Sequence, residues 1–150
     1  MNLTNAFKFV PGQTSPEDAL SAGDYPASNS YIDVTGYQWV NVLIHLGTIH
    51  SSDLPSFEIK EAEATNGTAD SIDTTYCKHT CAADDDDEMI TFAIETAKLS
   101  EDHHFLTCTV AGVTNGSYAD IMYILGPARH QPVTQDTDVL PAASQHEFAG

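Results

Sequence analysis

At 150 residues the chain carries one domain's worth of sequence, enough to bury roughly 70% of the surface its unfolded form exposes without disulfide or metal staples. Five Lys and Arg against 22 Asp and Glu give a formal net charge of -17. That balance excludes a protein that coats nucleic acid, which needs clustered cations, and one that docks on anionic membrane.

Residues 1–30 are small and polar, broken by Pro11, Gly12, Pro16, Gly23 and Pro26, and read as an N-terminal arm. Within it, residues 6–10 alternate like a short strand. Ser15 and Pro16, followed by acids, mark one helical turn over 15–20. From Tyr31 to Leu125 the hydrophobic period is two, the mark of half-buried strands. Residues 31–34 lead into a turn at Gly36, and 39–46 place Val40, Val42, Ile44 and Leu46 on one face. Phe57 and Ile59 alternate with Glu58 and Lys60; Ile90, Phe92 and Ile94 form the next inward set, followed by Leu106, Cys108 and Val110. Residues 120–125 are apolar at both parities, as in a central strand. Turn clusters separate these runs, including Asn66-Gly67 and Asn115-Gly116, dipeptides that suit tight hairpins.

After Gly126 the pattern stops. Residues 127–150 hold Pro127, Pro132 and Pro141 and few apolar side chains (Val133, Val139, Leu140, Phe148), too little to offset their own ordering entropy. The expected organisation is an antiparallel β-sandwich, jelly-roll-like, over 31–126, with extended arms at 1–30 and 127–150. Strand-like residues Phe7, Phe9 and Val10 suit addition to a neighbour's sheet edge, and Val139, Leu140 and Phe148 suit anchoring.

Three cysteines are too few for a disulfide framework, and no secretory signal or 20-residue apolar span is visible. Synthesis in a reducing cytosol is expected. Cys77-Lys78-His79-Thr80-Cys81 is the most metal-like segment, yet it lacks the second short-spaced ligand pair of structural zinc sites. A plain loop, with a late Cys77–Cys81 disulfide as its variant, outweighs a metal there, and Cys108 reads as a core residue. The run Asp84–Glu88 lacks the alternating spacing and turning Gly of a calcium loop and reads as a solvated tip. His103 and His104 follow Glu101 and Asp102, acids that favour an imidazolium. No nucleophile elbow, H-E-x-x-H helix or phosphate loop is present, so no catalytic, cofactor or metal residue is assigned. Trp39 lies opposite Val40 and Val42, beside Asn41 and His45. It suits a contact with an arm or neighbouring subunit better than a sugar platform.

The order of elements resembles a group of small structural proteins of tailed bacteriophages and gene-transfer particles. The likeness rests on the strand-turn-strand of 31–37 and 40–47, on Glu61-Ala62-Glu63-Ala64-Thr65-Asn66-Gly67-Thr68 as an E-A-x-x-x-x-G-T turn, and on Gly126-Pro127-Ala128-Arg129-His130-Gln131-Pro132 as a G-x-x-R-x-x-P segment. The resemblance implies a virion protein with a compact β-sandwich, of capsid decoration or cement type. With a net charge of -17, it is expected outside a phage head, since packaged DNA would repel it, after synthesis in the bacterial cytoplasm. Its partners would be the major capsid protein and itself, in a trimer or quasi-three-fold cluster. A glycan- or host-binding module, a head–tail or tail protein, and a metal-assisted hydrolase using Cys77, His79 and the aspartate run are the alternatives.

Overall fold

The structure, a computed structural model, describes residues 6–12 and 18–128. The period-two pattern becomes antiparallel strands in two sheets. In chain order they are β1 (Lys8–Pro11), β2 (Gly23–Tyr25), β3 (Ile32–Asp33), β4 (Tyr37–Leu46), β5 (Ser56–Ala62), β6 (Asp70–Ser71), β7 (Lys78–Thr80), β8 (Met89–Glu95), β9 (Phe105–Ala111) and β10 (Ala119–Ala128). Sheet A runs β1-β10-β4-β8. In sheet B, β9 and β5 lie side by side, with β2 and β3 sharing the far edge of β9, and β6 and β7 the far edge of β5. Counting each of these broken edges as one interrupted strand leaves eight, four per sheet. The chain changes sheet at almost every step, which is jelly-roll topology. The protein is an all-β antiparallel sandwich.

Alternation explains the core. Val40, Val42, Ile44 and Leu46 of β4, Phe92 and Ile94 of β8, and Ile121, Tyr123 and Leu125 of β10 face inward from sheet A. Phe57 and Ile59 of β5, with Leu106, Cys108 and Val110 of β9, meet them from sheet B. Each aliphatic or Phe side chain so buried contributes about 1.5–3 kcal/mol before ordering costs. Tyr123 crosses the layer: its ring is fully buried, and its hydroxyl donates to the Tyr25 carbonyl of sheet B at 2.6 Å.

The N-terminal arm needs correction. Residues 8–11 do form a strand, but it adds to the chain's own sheet, with Phe9 opposite Ile124 and Val10 opposite Tyr123. Val10 is buried, and the Gly12 N–H donates to the Ile121 carbonyl at 2.8 Å. Downstream, buried Leu20 donates its N–H to the Ser117 carbonyl at 2.8 Å, and β2 pairs with β9. The sandwich therefore begins near residue 8 rather than 31 and continues to Ala128 rather than 126. The physical reason is the edge of β10, whose unpaired backbone groups take the nearest compatible strand. Ser15, Pro16 and the tail anchors Val139, Leu140 and Phe148 lie outside the described residues.

β10 is central in its sheet, but only one of its apolar faces is covered: Met122 is exposed and Ile124 half-buried. Asn66-Gly67 turns β5 into β6 as a hairpin, whereas Asn115-Gly116 carries the chain from β9 in sheet B to β10 in sheet A. Among the described residues no helix is long and apolar enough to cross a membrane.

Gly112, just after β9, has a φ of +74, and a Cβ there would collide with the carbonyl oxygen of Leu54. Gly36 has a φ of +86 but faces open space. Gly112→Ala should lower stability by about 2 kcal/mol or more, combining strain with a backbone clash. Gly36→Ala should cost only about 1 kcal/mol. Urea denaturation of the two variants checks the difference, and equal midpoints would remove the close-approach argument.

Candidate interaction face

The outer face of sheet A follows from register. Phe9, Ile124, Asn41 and Ala93 form one row across β1, β10, β4 and β8; Pro11, Met122, Leu43 and Thr91 form the next. Neither row contains a charge. Glu95 beside Trp39, and Asp120 beside His45, bring acids only at the two ends. Trp39, Met122 and Met89 are 41%, 43% and 61% exposed on this face. Phe7 lies over Gly126, the partner of Trp39 in the β10–β4 ladder; a Cβ at 126 would enter the Phe7 ring. The strands thus bring Phe7, Phe9 and Trp39 to one face, while Val10 turns into the core.

The outer face of sheet B is built differently. Glu58 accepts from Ser71 and lies 3.4 Å from the Lys78 ammonium. Asp24 accepts from the Tyr31 hydroxyl at 2.7 Å and from Thr109 Oγ1 at 2.6 Å. The Thr107 hydroxyl, fully buried, donates to the Pro26 carbonyl at 2.8 Å. One face is laced with polar bonds and the other is apolar and charge-poor. On a chain of net charge -17, this apolar face is the candidate interaction surface. Thioether side chains there adapt readily to a partner's contour.

The cysteine and acid segments sort into separate groups. Cys77, Cys81 and Cys108 are all free and buried. Burial pushes the Cys108 thiol up to about 12, and burial with the nearby Asp85 charge pushes Cys81 up to about 11. Donor atoms of His79, Cys81 and Asp85 lie within 4.8 Å of one another; Cys77 is not in this group. The run Asp84–Glu88 is more than a solvated tip: Asp85 accepts the Ala82 N–H at 2.7 Å and Asp86 the Ile49 N–H at 2.6 Å. His103 and His104 also have distinct roles. The Glu101 carbonyl, with Glu61, Asp70 and Glu63 nearby, holds the His103 imidazole above its usual value. The His104 N–H instead donates to the Ala62 carbonyl at 3.2 Å.

Two buried acids escaped the sequence reading. Asp53 accepts from the N–H and Oγ1 of Thr114, from the N–H and Nδ2 of Asn115, and from Ser117 Oγ at 2.8 Å. In the sequence it is only part of a turn cluster, and its partners lie some sixty residues away. Glu61 continues the inward parity of Phe57 and Ile59, so alternation alone could have found it. Its carboxylate accepts the Ser100 N–H at 2.9 Å and the Ser100 hydroxyl at 2.5 Å. Asp53 fastens one loop to another, and Glu61 fastens a loop to the end of β5.

The chain matches no protein-family model, and no curated protein matches it significantly.

Burial alone would raise the Asp53 carboxyl, but the donors from Ser117, Asn115 and Thr114 hold it well below the usual carboxylate range. A group depressed in the folded state contributes fully above its unfolded value, near 3.9, and loses that contribution as pH falls through the folded value. The melting temperature of the protein should therefore drop as pH falls below about 4. Asp53→Asn should melt lower at neutral pH and show a flatter acid limb. Parallel curves for the two proteins would assign the acid sensitivity elsewhere.

Proposed function

We propose that this protein is a non-enzymatic virion component, an auxiliary of a bacteriophage capsid that docks on the outer surface of the major capsid shell. The observation that carries the reading is the apolar outer face of sheet A, with Trp39 and Met122 exposed on it. This face takes the role first expected of an N-terminal arm, since β1 is part of the sheet that presents it. The resemblance to phage structural proteins supplies the setting. Jelly rolls also build many viral capsid domains, an analogy of architecture alone.

Charge supports the outer surface. A protein of net charge -17 would be repelled by packaged DNA, and outside the shell its acids aid solubility. An uncharged contact centre with acids at its margins suits an apolar capsid patch whose rim is not itself acidic. Residues 129–150, continuing from β10, supply a second attachment through Val139, Leu140 and Phe148. Copies grouped about a three-fold or quasi-three-fold axis would let modest contacts act together.

Trp39 is the single tryptophan, so its fluorescence reports directly on the face. On mixing the full chain with shells that lack it, Trp39 emission should shift to the blue. Trp39→Asp and Met122→Asp should fold normally yet bind shells about 30-fold more weakly or worse, as expected of interface hot spots. Unchanged occupancy of the shells by both variants would defeat the proposal. A Trp39 shift produced instead by soluble glycans would favour the host-binding alternative.

A further inference from the structure

We infer that His79, Cys81 and Asp85 form a binding site for a zinc-type divalent cation. Their donor atoms converge within 4.8 Å, and His79 Nε2 stands 3.8 Å from Asp85 Oδ2. Tetrahedral zinc with bonds of about 2.0–2.3 Å holds its donors roughly 3.3–3.6 Å apart, so a small inward movement of the side chains completes the geometry.

The fold holds each donor's backbone in place. His79 sits on β7, paired with Phe57 of β5. The Cys81 N–H donates to the Pro55 carbonyl at 2.8 Å. The Ala82 N–H donates to Asp85 Oδ2 at 2.7 Å, bringing that carboxylate back beside residues 79 and 81. A ligand set of spacing H-x-C-x3-D is thereby assembled from seven consecutive residues. Because the strand pairing and turn already order the chain, little further ordering opposes binding.

The donor chemistry selects the metal. Calcium and magnesium take oxygen ligands throughout, whereas a mixed sulfur, nitrogen and oxygen set suits zinc. Three protein donors leave a fourth position for water or a partner's side chain. Cys81 is buried, Asp85 half-buried and His79 exposed, so the site opens on the side of the imidazole. Lys78, the nearest cation in sequence, is engaged by Glu58 at 3.4 Å, leaving the acids of 84–88 to attract a cation. Binding converts the Cys81 thiol to a thiolate, forms one metal–sulfur bond and releases one proton to solvent. Burial and the Asp85 charge push that thiol up, and the positive charge of a bound cation offsets both.

Cobalt(II), a spectroscopic substitute for zinc, provides the test on untagged, chelator-treated full-length protein. One equivalent should produce a thiolate-to-cobalt absorption band in the near ultraviolet, and zinc should displace it. Cys81→Ser should abolish the band. His79→Ala and Asp85→Asn should weaken cobalt binding by more than about tenfold, a cost that even an outer-shell partner carries. Cys77→Ser should leave band and affinity unchanged. Absence of the band, or a band indifferent to His79→Ala and Asp85→Asn, would overturn the site.

Discussion

The packing of the two inner faces around Tyr123 is the constraint on which the rest of the molecule depends. β10 is apolar at both parities, so hydrophobicity alone would allow either face to turn inward. The phenol decides between them. Tyr123 is buried and its hydroxyl reaches the Tyr25 carbonyl of the opposite sheet. A one-residue slip would bury Met122 and Ile124 but leave that carbonyl without this donor and put the ring in solvent. With Tyr123 inward, Ile121 and Leu125 follow it, and Met122 and Ile124 must face out. The apolar outer surface is thus a consequence of how the core is keyed.

Much of the sandwich was legible because long strands repeat their burial every second residue. β4, β5, β8, β9 and the inward half of β10 all follow from that pattern. The N-terminal segment was misread for a definable reason. Composition averages over a stretch, whereas burial selects single positions: Ala6, Val10 and Leu20 are buried within an otherwise polar sequence. Strands of two or three residues, such as β3, β6 and β7, have no period to detect. They exist because β9 and β5 offer edges to pair with.

The sites divide along similar lines. Trp39 was legible from alternation, and its outward position follows directly from Val40 facing the core. Glu61 was legible in principle by the same rule, but its acidity masked its parity. Asp53 was not, because its donors come from a loop that only the folded topology brings near. The His79–Cys81–Asp85 cluster depends on the turn at 82–85. Read linearly, Cys77 and Cys81 suggested a pair; in three dimensions β7 sets Cys77 apart and the turn substitutes Asp85.

The broken rims of sheet B have a further consequence. Each rim is divided into two short pieces, β2 with β3 on one side and β6 with β7 on the other. A foreign chain seeking to extend the ladder there meets an interruption after two or three residues, too brief a template for fibril growth. Molecules crowded at high local density can therefore lie with their sheet B rims together without extending one another's ladders.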